Sequence, residues 1–221
     1  MIFPSGETIT KTAIILALDD GELGPLFGRS SIGRIALILR QAGFRFFHII
    51  GRVKPVIPGL RDLVPKAAFY QVDDPRLLDN IINTIPLADD GQVLILKSDL
   101  VLDRNSLDRF LAVNHGRIPR LMEVRGGLGQ GIYLLDSSEA GSALRGLWLA
   151  DESLDALAGR AYRVNGTDGF PFLLGKGEKE RRTAEDRLVS GLASPADEPG
   201  DGAVKVAGQK TIIGGSLRSK P

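Results

Sequence analysis

Apolar and polar positions along this chain fall into blocks whose period changes from one to the next. Ala13–Leu18 is an unbroken apolar run, the pattern of a strand covered on both faces, as in a parallel sheet. Ile32, Ile35, Ala36, Leu39 and Ala42 then recur at helical spacing. Ser30 or Ser31 can cap that helix at its start, and Gly43 can stop it. "FRFFHIIG" reads as a second strand ending at Gly51. Strand, helix and strand in this order spell a right-handed crossover unit.

The alternation continues. "RVKPVIPGLRDLVPKA" carries three prolines and reads as a loop with at most a short helix. "AFYQV" reads as a short strand. Leu77, Leu78, Ile81, Ile82 and Ile85 mark a helix with Pro75 in its first turn. "QVLILKSD" is a further apolar strand, ending at Ser98 and Asp99, and Asn105–Val113 a short helix. "RIPRLMEVRGGLGQGIYLLD" predicts two strands around a glycine-rich connection. "SSEAGSALRGLWLADESLDALAG" predicts helix with a break near Asp151. "RAYRVNGTDGFPFLL" predicts a hairpin around Asn165–Gly169. "EKERRTAEDRLVSGLA" predicts a charged helix with Ala184, Leu188 and Leu192 to pack.

Such alternation predicts a three-layer α/β/α sandwich with a mostly parallel central sheet. Ligands of such sheets bind beyond the carboxyl ends of the strands. Composition shifts to Pro, Gly, Asp, Lys and Ser at Ser194. The expected division is therefore one domain over 1–193 and a flexible tail or linker over 194–221.

Charge and composition narrow the chemistry. The 221 residues carry a formal net charge of +1, which gives no reason to expect nucleic acid or a polybasic membrane contact. There are no cysteines and only two histidines, His48 and His115. Thiol nucleophiles, disulfides and Cys- or His-rich metal sites are excluded. No apolar run is long enough to span a bilayer, and "MIFPSGETITK" does not read as a signal peptide. A cytoplasmic location is the expectation.

Three stretches are candidates for chemistry. The loop Asp19–Arg29 follows the first strand and precedes a helix start, a place where glycine backbone N–H groups can cradle phosphate. Neither G-x-G-x-x-G nor G-x-x-x-x-G-K-[ST] is present, and Asp19, Asp20 and Glu22 oppose an anion. A plain strand–helix connection is the competing reading. Asp99 closes a buried strand on the ligand side, where a carboxylate can hold Mg²⁺; an N-cap or turn aspartate is the alternative. Asp103 is better explained as a helix cap. "RGGLGQG", residues 125–131, either admits a ligand or is a turn. His48 reads as a core histidine and His115 as an exposed turn residue. Asp19–Asp20, Asp73–Asp74 and Asp89–Asp90 read as solvated turn pairs.

"AIILALDDGELGPLFGRSSIGRIALILRQAGFRFFHIIG" resembles the opening of the sugar-phosphate nucleotidyltransferases, which share the glycosyltransferase-A kind of fold. "VLILKSDLVLD" resembles that family's strand ending in a metal-binding aspartate, with Asp99 at the matching position. "GIYLLD" resembles its later strand past the sugar pocket. A subgroup is nearer still: the cytidylyltransferase-like domain ahead of the membrane domain in some CDP-alcohol phosphotransferases, whose joint resembles "AEDRLVSGLASPAD".

The resemblance implies nucleotidyl transfer from an NTP, CTP foremost, to a small phosphorylated alcohol such as a sugar or inositol phosphate. Gly21, Gly24 and Arg29 would cradle phosphate, with Arg29 also serving catalysis. Asp99 would hold Mg²⁺, and a membrane domain would be a partner. The departures are specific. The family's Pro-Lys pair is missing, since no lysine stands between Lys11 and Lys54. No aspartate stands in the strand expected to supply a second metal ligand; Asp168 lies just before it. Arg29 and Arg34 then substitute for the lysine, or the domain is a catalytically degenerate nucleotide-binding or interaction domain of the same fold. A glycosyltransferase of this fold ranks last, since "SDLVLD" lacks D-x-D spacing.

Overall fold

A computed structural model describes residues 11–17, 26–27, 29–52, 64, 66–87, 91–114, 116–124, 130–149, 152–166, 170–174 and 177–193. Gly21, Gly24, His115, Asp168, the acidic pairs at 19–20 and 89–90, residues 125–129 and the tail 194–221 lie outside them.

The main sheet has seven strands in the order β3-β2-β1-β4-β7-β6-β8. β1 (Thr12–Ala17) lies between β2 (Phe46–Gly51) and β4 (Gln92–Lys97), parallel to both, and β3 (Ala67–Gln71) extends the sheet parallel to β2. β7 (Gly131–Asp136) runs antiparallel to its neighbours β4 and β6 (Arg120–Glu123), and β8 (Tyr162–Arg163) is parallel to β6. All but β7 therefore point the same way, and the carboxyl ends of β1 and β4 share one rim.

The period-two pattern divides β1 between two helical layers. Ala13, Ile15 and Ala17 pack with Ile32, Ile35, Ala36 and Leu39 of α1 (Ser31–Gln41) and with Leu107 and Phe110 of α3 (Arg104–Ala112). Ile14 and Leu16 face α2 (Leu78–Thr84), α4 (Ser137–Leu149) and α5 (Glu152–Arg160) through Leu78, Leu144 and Leu157. This two-sided cover explains the unbroken apolar run. Each such Ile or Leu contributes about 1.5–3 kcal/mol by leaving water.

The helix ends follow from local chemistry. Ser30 Oγ accepts the Gly33 N–H at 3.1 Å, capping α1. At the other end Gly43 adopts a φ of 90°, which only glycine reaches without strain. Phe44 N–H bonds to Leu39 O and Gly43 N–H to Arg40 O, both at 3.0 Å, so the last carbonyls are satisfied as in a Schellman motif. Asp103 caps α3, its Oδ2 accepting from Asn105 N–H at 3.1 Å and Ser106 N–H at 3.2 Å.

Two sequence expectations need correction. The segment read as a hairpin around Asn165–Gly169 is not one: β8 joins β6 in the main sheet, while β9 (Phe172–Leu173) pairs with β5 (Leu100–Val101) in a separate two-stranded sheet. Turn residues signal a change of direction, but the free edges of β6 and β5 choose the partners. The helix expected from Pro75 opens instead as a 3₁₀ turn, Pro75–Leu77, before α2.

Among the described residues no helix is long and apolar enough to cross a membrane. α6 (Glu178–Ala193) lies over the small sheet: Ala184 and Leu188 are buried with Leu26, Val101, Phe170 and Leu174.

Candidate functional site

The rim beyond β1 and β4 is laced together by main-chain and hydroxyl bonds. Ser98 N–H donates to Leu16 O at 2.8 Å. Ser31, the first residue of α1, donates its hydroxyl to the Ser98 carbonyl. Leu174 N–H donates to Asp99 O at 2.7 Å, joining β9 to the same turn. The start of α1 and the end of β4 are thereby fixed side by side, with Arg29 two residues before Ser31 and Asp99 directly after Ser98.

Asp99 is half-buried, and its Oδ1 is shut off from solvent. Among the described residues no three His, Asp or Glu side chains gather as a metal site. A single carboxylate still suits Mg²⁺, which keeps several waters and leans on substrate phosphate oxygens.

Leu26 and Arg29 close a tight turn: Leu26 N–H bonds to Arg29 O at 2.8 Å and Arg29 N–H to Leu26 O at 3.0 Å. Leu26 is buried, Arg29 exposed. Phe27 has a φ of 47° and is 52% exposed. A bulky residue in the left-handed region is an outlier, favoured there only when neighbours hold it. Glu185 of α6 does so, its Oε1 accepting the Phe27 N–H at 2.9 Å.

Arg34, in the first turns of α1, lays its guanidinium over the Phe27 ring, 5.7 Å from the centroid. Burial, aided by the nearby Arg29 charge, holds the Arg34 guanidinium below its ordinary pKa, and Glu185 opposes this. Among the described residues, two arginines beside a helix start, with one carboxylate acting against their repulsion, suit a polyanion.

Other sequence candidates have structural explanations. Gly131 opens β7 where a Cβ would run into the Met122 carbonyl of β6, so close strand approach accounts for it. His48 is 5% exposed on β2, with Nδ1 3.1 Å from the Tyr70 hydroxyl. Burial lowers its pKa, keeping the ring neutral. The cavity of about 520 Å³ lined by Arg40, Arg45, Lys66 and Phe44 opens at the opposite end of α1. Cations there complement the carbonyl end of the helix.

Glu185 and Phe27 escaped sequence reading. Glu185 is 158 residues from its partner, so no local spacing could pair them. The faint signal was Glu185 beside Ala184 and Leu188, the packing face of α6.

No family model matches the chain, and no curated protein sequence does either. Solved structures do. A 4-diphosphocytidyl-2C-methyl-D-erythritol synthase matches with a TM-score of 0.58 at 10% identity, covering 81% of this chain and 98% of its own. The Francisella tularensis 2-C-methyl-D-erythritol 4-phosphate cytidylyltransferase matches with a TM-score of 0.56 at 12% identity, covering 81% and 100%. A Bacillus anthracis structure named as a glucose-1-phosphate thymidylyltransferase, in complex with a sucrose, gives 0.53 at 15% identity, covering 80% and 96%. At these identities the likeness is one of fold: the chain has the α/β architecture of nucleotidyltransferases, a mostly parallel sheet between helical layers.

Proposed function

We propose that the chain transfers a nucleotidyl group from an NTP, CTP foremost, to a small phosphorylated alcohol such as a sugar or inositol phosphate. The observation that supports this reading is the lacing of Ser31 to Ser98 at the carboxyl rim, which joins the start of α1, two residues after Arg29, to the end of β4, one residue before Asp99. The cytidylyl- and thymidylyltransferases among the structural neighbours support the same reading through a shared fold.

In this mechanism Arg29 and Arg34 neutralise the triphosphate, and the glycines at 21 and 24 let backbone N–H groups approach it. A phosphate oxygen of the acceptor attacks the α-phosphorus in line, and pyrophosphate leaves. Mg²⁺ held through Asp99 would supply further charge neutralisation on the phosphates. A membrane-domain partner that consumes the activated alcohol belongs to the same proposal.

A second reading, a non-catalytic nucleotide-binding domain, is favoured by the lack of a metal-binding carboxylate cluster among the described residues and by the missing loop lysine. One experiment separates the two. Thermal stability is measured with each of the four NTPs, with and without Mg²⁺, followed by pyrophosphate release with sugar and inositol phosphates. Stabilisation by Mg²⁺–CTP with pyrophosphate release is expected; stabilisation without release would select the non-catalytic reading. Asp99→Ala is expected to lose the Mg²⁺-dependent part of the stabilisation. If that variant responds to Mg²⁺–NTP as the parent does, Asp99 is not the metal ligand.

A further inference from the structure

One residue of the turn that carries Arg29 is poorly suited to its backbone conformation. Turns this tight favour Asn, Asp or Gly where φ is positive, and Phe27 stands there instead. The turn is held from outside. Leu26 is buried against Ala184 and Leu188 of α6, and Glu185 between them accepts the Phe27 N–H. The same carboxylate bears on Arg34, whose guanidinium covers the Phe27 ring. One side chain on α6 thus holds the backbone of the turn and also acts on the arginine stacked over it.

We propose that Glu185 is a positioning residue for polyanion binding: by accepting the Phe27 N–H it fixes the backbone of the turn and so sets the direction of Arg29. The inference rests on the reading of this rim as a triphosphate site. It adds α6 to that site, although the helix supplies no group to the reacting atoms.

Two effects of Glu185 have opposite signs, and substitution separates them. Glu185→Ala removes both the acceptor and the negative charge. Glu185→Gln keeps an acceptor for Phe27 N–H and removes only the charge. Asp186→Ala deletes the same charge one residue along, from an exposed position. The measurement is calorimetric titration of the full chain with Mg²⁺–CTP and with inorganic tripolyphosphate, alongside circular dichroism to verify folding.

Glu185→Ala is expected to bind both ligands about tenfold more weakly, the loss of one charge-assisted contact's worth of orientation. Glu185→Gln is expected to bind at least as tightly as the parent, because the turn stays fixed and a repelling charge is gone. Asp186→Ala is expected to match the parent within about twofold, as an exposed and screened charge. A helix residue of purely structural importance would lower the melting temperature in Glu185→Ala without this split between alanine and glutamine. Equal affinity of Glu185→Ala and parent overturns the inference and leaves the nucleotidyltransferase reading standing. Glutamine as weak as alanine also overturns it, since the acceptor would then not be what matters. A parent chain that binds neither ligand overturns the reading and the inference together.

Discussion

Arg120 and Arg34 are both withdrawn from water, yet their surroundings differ in kind. Arg120 is 4% exposed at the start of β6. Its Nη1 reaches the carbonyls of Phe110, Leu111 and Val113 at the end of α3, and its Nη2 donates to Gln92 Oε1 at 3.2 Å. The cation is spent on closing a helix, at the end where the backbone dipole favours it. Arg34 stands near the start of a helix, the electrostatically wrong end, with a second arginine beside it and an aromatic ring under it. Burial lowers the pKa of both. The difference lies in the surroundings: the acceptors around Arg120 belong to the fold, whereas Arg34 lies over an aromatic ring with one like charge, Arg29, and one carboxylate, Glu185, acting on it among the described residues. An arginine stacked on a ring beside a second arginine, rather than spent on carbonyls, is the feature on which the proposed polyanion site rests.

The comparison breaks first at Arg120. Arg120→Leu is expected to cost about 3 kcal/mol in urea unfolding, because it strands buried carbonyls. Its affinity for Mg²⁺–CTP should be unchanged while it is folded. Arg34→Ala should do the reverse: about tenfold weaker tripolyphosphate binding with an unfolding midpoint at or slightly above the parent's, as a repulsion is relieved. Comparable destabilisation by the two substitutions would erase the distinction.

The smallest effect concerns a third buried titratable group, His48. Its ring is held neutral below the ordinary value of 6.5. As pH falls beneath that value the unfolded chain gains a proton that the folded chain resists, so the stability present above it is lost. The melting temperature should therefore fall on acidification, and the slope should be shallower in His48→Phe. An unchanged slope would assign the acid sensitivity elsewhere.

Much of the layered fold was legible because its signals are local. The run from Ala13, the spacing from Ile32 and the glycine at 43 each name a strand, a helix and a stop by short-range sterics and burial. Asp103 declared itself a cap in the same way. The region from Tyr162 to Leu173 was misread because which edge a short strand joins is a tertiary outcome. Of the candidate residues, Arg29 stood out in the loop before a helix start and Asp99 at a strand end. Arg34 was visible only as a nearby charge, and Glu185 not at all, since its meaning depends on a helix docking across the far end of the chain.

That docking has a consequence for biosynthesis. The turn at Phe27 emerges from the ribosome early, but the carboxylate that secures it comes 158 residues later. The β1–α1–β2 unit can form while synthesis continues, whereas closure over so long a separation must wait. A nascent chain would therefore hold much of the sheet with the arginine turn still unsecured, and the proposed polyanion site would be completed only after α6 has been made.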